Sequence, residues 1–199
     1  MLFICLVVLA YLSGSIPFGY LIPKIWHLDI RQHGSGNIGA TNVFRTLGPT
    51  AGTIVFVLDM LKGTIPVALA NWLLGNPWLV IFVVAAAILG HTYSIFMGFK
   101  GGRGVATGVG CLLGLAPDIF IMALIIAFLI IAVTRYVSVA SMITPVLVTL
   151  AFISFGRPLP YAFIAGLVSI LILIRHIPNI KRLRAGTELK IGLKHELKQ

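Results

Sequence analysis

The chain has 199 residues, 59% of them hydrophobic and 10% charged, with a mean hydropathy of +1.06. So much apolar surface cannot be hidden beneath the polar shell of a water-soluble domain of this size, so the solvent of this fold is lipid. Fifteen Lys and Arg against five Asp and Glu give a net charge of +10; in a soluble protein that excess would point to nucleic acid, but in a membrane protein it reports orientation, and no nucleic-acid partner is expected.

Apolar runs cover residues 2–23, 51–74, 78–97, 104–116, 119–134, 137–155 and 159–175. They predict an all-α integral membrane protein, a seven-helix transmembrane bundle formed by one domain over residues 1–199, since no linker or low-complexity tract divides the chain. The first run has no Lys or Arg before it and no small-residue cleavage pattern after it, so it reads as a membrane anchor and not as a cleaved signal. Its Ser13-Gly14-Ser15-Ile16-Pro17 stretch should bend the helix. The run 104–116 falls short of the ~20 residues that cross a hydrocarbon core and reads as a half-helix or a buried element.

Breakers at 75–77, 116–118 and 156–160 separate the runs, with Asp118 placed to cap the helix that follows it. These links are nearly uncharged. The alternate links hold Lys24, Arg31, Arg45, Lys100, Arg103, Arg135, Arg175, Lys181, Arg182, Arg184, Lys190, Lys194 and Lys198, thirteen of the 15 basic residues. By the positive-inside rule that side is cytoplasmic, with the N-terminus outside and the C-terminus inside. This needs an odd number of crossings, which seven satisfies, as would five.

Three polar segments fall on that face. The first, Gly34-Ser35-Gly36-Asn37-Ile38-Gly39-Ala40-Thr41-Asn42-Val43-Phe44-Arg45, places three glycines before a short predicted helix, with a cation one turn later. Glycines let backbone N–H groups converge on an anion, a helix N-terminus adds a favourable dipole, and an arginine holds phosphate in a bidentate manner. The plainer alternative is a flexible loop in which Asn37 and Asn42 stabilise turns. The second segment, Phe99-Lys100-Gly101-Gly102-Arg103-Gly104, is again glycine-rich and basic and opens onto a helix; its cations would otherwise serve as interfacial anchors. The third, around His176 and Asn179, leaves the last apolar run, and its histidine suits a general base or a phosphate ligand as well as plain solvation.

Within the apolar runs, Asp59 and Lys62 stand three apart on one helical face and should pair, while His91 reads as an interhelical contact before a ligand. Cys5 and Cys111 have no partner at ligand spacing and read as packing residues, so no metal site, cofactor or disulfide is expected. There is no H-x-x-x-x-D acyltransferase pair, no carboxylate cluster for magnesium and no G-x-S-x-G elbow. Glycine loops and cations with so little other machinery suit a substrate that is already activated and carries phosphate, because positioning and charge stabilisation then suffice. A transporter for a phosphorylated anion and a non-catalytic membrane scaffold are the competing classes.

The stretches Ser35 to Asn42, Asp59-Met60-Leu61-Lys62-Gly63, Gly90-His91 with Phe99 to Thr107, and Asn179 to Leu183 with Gly186 and Glu188 together resemble the bacterial acyl-phosphate:glycerol-3-phosphate acyltransferase family. The resemblance implies acyl transfer from acyl phosphate to the 1-hydroxyl of sn-glycerol 3-phosphate, giving lysophosphatidic acid and phosphate, the first acylation of phospholipid synthesis at the bacterial inner membrane. It implies that Ser35, Gly36, Asn37, Thr41 and Arg45 line a phosphate pocket, that Lys100, Gly101, Gly102 and Arg103 hold a second phosphate, and that His176, Asn179 and Glu188 complete the site. Two departures are visible: Arg103 stands where the family leads one to expect lysine, and Ser94 where it leads one to expect proline. The favoured mechanism is direct attack of the glycerol 3-phosphate hydroxyl on the acyl carbonyl, with a substrate phosphate or His176 accepting the proton. The alternative, Ser35 as covalent nucleophile, lacks a visible His-Asp pair to activate it.

Overall fold

The computed structural model describes residues 1–191. It is helical, with no strand among the described residues, and groups into two compact units, Met1–Leu115 and a second beginning at Ala116. Lys194 and Lys198 lie outside the described residues.

The first unit opens with α1 (Leu2–Ser15) and α2 (Phe18–Lys24), one span broken where the sequence predicts a bend. Pro17 has no N–H to continue the helical ladder; Ile16 N instead closes a tight turn onto Ser13 O at 3.1 Å. A 3-10 turn (Ile30–Gln32) and α3 (Ala40–Leu47) follow, then α4 (Pro49–Leu74), α5 (Pro77–Thr92), a second 3-10 turn (Ile95–Met97) and α6 (Val105–Leu115). Proline at the first position starts α4 and α5, and the Asn76 side chain caps α5 by accepting from Trp78 N at 3.0 Å.

Lipid supplies no hydrophobic force between helices, so close backbone approach through small residues does the packing. A methyl on Gly14 would stand 2.3 Å from Ala87 O, and one on Gly110 would stand 1.9 Å from Met60 O, so α1 lies directly on α5 and α4 on α6. The contacts also give directions. Phe3 meets Phe82 edge-on at 6.0 Å, and the Tyr11 hydroxyl donates to Tyr93 O at 2.9 Å, so α1 and α5 run parallel. Gly110 sits at Met60 and Gly114 at Ala68, so α6 runs the same way as α4. Ser13 reaches Lys62 O, and Gly19 lies near Val55, so α4 runs against the first span. The segments 25–48 and 93–104 therefore emerge at the same end of this unit.

The second unit comprises α7 (Pro117–Thr134), α8 (Val137–Ser154), α9 (Leu159–Arg175) and α10 (Ile177–Arg184). Phe152 packs edge-on against Tyr161 at 6.0 Å, and the Thr149 and Ser169 hydroxyls meet at 3.3 Å between antiparallel α8 and α9. Asp118 does not cap α7. Ala116 occupies the N-cap position with Pro117 after it, and the Asp118 carboxylate instead pairs with Arg157 across the link between α8 and α9.

All seven apolar runs form helix. Among the described residues five spans have the length and hydropathy to cross a membrane, and α9 with α10, bent by 54°, makes a sixth. The seventh, α6, has 11 residues and reaches ~16 Å, about half of a ~30 Å core.

Candidate active-site loops

The segment between the first span and α4 is built on its own small core of Ile30, Ile38, Val43, Ala51 and Val55. Asp29 starts it: its carboxylate accepts from Arg31 N at 3.1 Å and from the Arg31 guanidinium at 2.6 to 3.2 Å, while Arg31 lies over the Tyr20 ring at 4.8 Å. The hydrogen bonds from the Arg31 side chain hold the Asp29 carboxyl well below the usual range, at about 2.

Asn42 organises the loop that follows. Its Oδ1 accepts from Ser35 N at 2.8 Å, and its Nδ2 donates to His33 O and Asn37 O, each at 2.9 Å. The Asn37 side chain accepts from Gly39 N at 2.9 Å, the local turn expected of it. Gly34 and Gly36 both take left-handed backbone, and a methyl on Gly34 would stand 2.2 Å from Asn42 Oδ1. Ser35, Asn37, Thr41 and Arg45 are half-buried along this loop and α3, with Thr41 in the first turn of α3 and Arg45 in its last. A glycine loop leading into a helix is thus present, and a buried amide fixes it. Among the described residues no hydrogen bond joins the Ser35 hydroxyl to a histidine or carboxylate.

The second loop docks on the end of α5. Gly102 N donates to His91 O at 3.1 Å, and methyls on Gly101 and Gly102 would each stand 2.1 Å from His91, against its carbonyl oxygen and its ring Nε2 respectively. These two glycines have a packing reason of their own: the His91 carbonyl and ring leave no room for a side chain. They set exposed Lys100 and half-buried Arg103 at the same end of the unit as Arg45.

Between the loops and the helices lies a narrow crevice bordered by Ile38, Asp59, Lys62, His91 and Ser94. Asp59 and Lys62 pair at 2.7 Å, as the spacing predicts, with side chains 2% and 4% exposed. His91 Nδ1 is 3.8 Å from the same carboxylate oxygen, the interhelical contact expected of it.

In the second unit the residues of the third motif surround the bend between α9 and α10. His176, 2% exposed, points Nδ1 at Ile172 O at 2.8 Å. A carbonyl only accepts, so Nδ1 is the donor in this contact. Buried Glu188 accepts from Asn179 Nδ2 at 2.6 Å and from Arg182 Nε at 2.7 Å. Burial pushes the Glu188 carboxyl up, but the donors around it, Asn179 first, outweigh this and leave it below its ordinary value. Ile191 N donates to Arg135 O at 2.9 Å, tying the segment after α10 to the turn between α7 and α8.

The chain matches the glycerol-3-phosphate acyltransferase family over residues 4–186. It is 44% identical to a glycerol-3-phosphate acyltransferase of Syntrophomonas wolfei, covering 94% of this chain and 95% of that one. It is 46% identical to one of Lactiplantibacillus plantarum, covering 93% and 90%. The fold superposes on the crystal structure of PlsY, an integral membrane glycerol 3-phosphate acyltransferase, in its glycerol 3-phosphate form, with a TM-score of 0.94, 41% identity and 96% of each chain covered. The lysophosphatidic acid form gives a TM-score of 0.91. Loops, helices and sequence agree along nearly the whole chain, which belongs to the glycerol-3-phosphate acyltransferase family and is an integral membrane acyltransferase of phospholipid synthesis.

Proposed function

We propose that the protein transfers a fatty acyl group from acyl phosphate to the 1-hydroxyl of sn-glycerol 3-phosphate, releasing lysophosphatidic acid and inorganic phosphate. The observation that carries this reading is the pair of fixed, glycine-lined, cation-bearing loops at one end of the first unit, 34–45 with Arg45 and 100–103 with Lys100 and Arg103. Two anionic groups, one on each substrate, call for two such elements. The related PlsY was crystallised in a glycerol 3-phosphate form and a lysophosphatidic acid form, which supports the acceptor and the product.

Ser35, Gly36, Asn37, Thr41 and Arg45 are assigned to one phosphate, and Lys100, Gly101, Gly102 and Arg103 to the other. The hydroxyl oxygen attacks the acyl carbon, a new C–O ester bond forms, and the bond to the phosphate oxygen breaks with its electron pair leaving on phosphate. The proton passes to a substrate phosphate oxygen or to His176. Asn179 and Glu188 are assigned to substrate binding as well, with the Glu188 carboxylate accepting from the Asn179 amide and from Arg182. Among the described residues no base is hydrogen-bonded to the Ser35 hydroxyl, which favours direct transfer over an acyl-enzyme.

The same charge pattern orients the chain. The basic links carry Lys24, Arg31, Arg45, Lys100 and Arg103 in the first unit and Arg135, Lys181, Arg182, Arg184 and Lys190 in the second, and are assigned to the cytoplasmic face of the bacterial inner membrane. This orientation needs an odd number of crossings, which the seven apolar segments give if the short α6 returns the chain to the opposite face together with the link that follows it.

The test offers the purified protein glycerol 3-phosphate with acyl phosphate, acyl-CoA or acyl-carrier protein, and follows lysophosphatidic acid. Product with acyl phosphate alone is expected. Product with acyl-CoA or acyl-carrier protein in its place removes the donor assignment.

A further inference from the structure

The break in the first span interrupts the helical ladder inside an apolar bundle, where water is scarce; Ile16 O keeps only a tight-turn bond from Phe18 N at 3.1 Å. Two side chains from other elements add donors to the carbonyls there. Lys62 Nζ donates to Ile16 O at 2.8 Å, and Ser94 Oγ donates to Ser15 O at 2.6 Å. Asp59 holds the ammonium from its other side at 2.7 Å.

The position of that break is passed on to the loop above it. Beyond Pro17, Gly19 lies so close to Ile38 that a methyl on it would stand 1.6 Å from Ile38 O. Ile38 is the buried residue between Asn37 and Gly39 in the first loop. A shift of the break by a fraction of an ångström must therefore move residues 34–39 or separate α2 from them. Stability alone is a poor reason for the ion pair, since apolar replacements of buried pairs are often neutral or better. What a lysine adds is a directed donor, and Ser94 adds a second that a proline at that position would lack.

We infer that Lys62, oriented by Asp59, and Ser94 are positioning residues for glycerol 3-phosphate: they fix the break in the first span and, through the Gly19–Ile38 contact, the loop 34–39, without touching substrate. The inference rests on the reading that this loop holds a substrate phosphate.

The full-length protein tests it, as wild type, as the near-isosteric neutral double variant Asp59→Asn/Lys62→Met, and as Ser94→Ala and Ser94→Thr. Calorimetric binding of glycerol 3-phosphate needs no acyl donor and reads positioning directly, beside KM, kcat and thermal unfolding. The double variant should unfold within a few degrees of wild type yet bind glycerol 3-phosphate ~10-fold more weakly, with KM rising in step and kcat within ~2-fold, as expected for loss of one directed, charge-assisted bond. Ser94→Ala should weaken binding ~3- to 5-fold, and Ser94→Thr, which restores the hydroxyl, should recover it. Wild-type affinity in the folded double variant overturns the inference, and so does affinity lost only in proportion to stability. If the double variant does not fold, the Ser94 pair decides: weak binding in the alanine variant rescued by threonine supports the inference, and equal affinity in both overturns it. Arg45→Ala separates the two claims, because undiminished binding there removes the site reading as well, whereas lost binding in Arg45→Ala with unchanged Lys62 and Ser94 variants removes the positioning role alone.

Discussion

Gly101→Ala probes how the second loop is held. The added methyl would stand 2.1 Å from His91 O and 2.8 Å from Thr92 O, both backbone atoms. Unstrained C···O contacts begin at ~3.3 Å, so the loop or the helix end must move by about 1 Å. The helix end is the stiffer partner, because Gly90 is pressed against Tyr11 O, with a methyl there 2.3 Å away, and the Tyr11 hydroxyl ties Tyr93 O at 2.9 Å. The loop therefore yields, straining the 3.1 Å bond from Gly102 N to His91 O and carrying Lys100 and Arg103 with it. Displacing a binding group by ~1 Å can cost ~100-fold in rate, and that is the expected fall in kcat/KM. Initial rates against glycerol 3-phosphate and acyl phosphate, with thermal unfolding as a control, measure it. Gly98→Ala is the comparator: its backbone is left-handed at φ 60°, but nothing lies within 4 Å of the added methyl. It should cost about 1 kcal/mol locally while changing kcat/KM by less than ~3-fold. Wild-type kinetics in Gly101→Ala, or equal damage from both variants, would refute the docking argument.

Three further outcomes are expected. Arg45→Ala should lower kcat/KM by at least ~100-fold with little change in unfolding temperature, and Arg45→Lys should recover only part of it, because a point charge replaces a planar fork; steady-state kinetics on both variants check this. Asn42→Asp turns the two donors of Nδ2 toward His33 O and Asn37 O into an acceptor, leaving both carbonyls facing an oxygen, so it should destabilise the loop by about 2–3 kcal/mol, raise KM for glycerol 3-phosphate and speed proteolysis between residues 30 and 45. The Glu188 carboxyl, held below its ordinary value when folded, adds stability that is fully present above the unfolded value of ~4.3 and is lost as pH falls through the folded one. Unfolding curves from pH 7 down to pH 3 should therefore show wild type losing more stability than Glu188→Gln over the acid end.

Hydropathy and breaker residues made the helices legible, and Pro17 made the break legible, because these signals are local. The ion pair of Asp59 with Lys62 was legible too, since two opposite charges on one face of an apolar helix have little choice but each other. Asp118 misled because its partner, Arg157, lies 39 residues away, and an ion pair across the second unit outcompeted a cap on its own helix. The glycines of the second loop were legible as candidate ligand-binding residues but not as packing residues, since the His91 carbonyl and ring that exclude a side chain there come from an element nearby in sequence but folded back in space. Asn42 was readable only as a turn former. Its role in tying Ser35, His33 and Asn37 together depends on tertiary burial, at 2% exposure beside the Ile30, Ile38 and Val43 core, which no spacing announces.

The distribution of buried polar groups fits the chemistry better than a search for a nucleophile does. In the first unit, Asn42 fixes the first loop, Lys62 and Ser94 take up the carbonyls of the helix break, and Asp59 orients Lys62; all four are at least nine-tenths buried. Each is costly to desolvate, and each spends its polar atoms on backbone or on its ion-pair partner. A reaction needing a strong base or an activated hydroxyl would reward polar groups aimed at the substrate. A reaction whose donor already carries a good leaving group rewards loops that do not move, because entropy and charge placement are then the main barrier left to lower. By that argument the rate should depend more on the groups that hold the loops than on any single proton acceptor, and loop-anchor variants should reduce kcat/KM more than loss of the His176 ring.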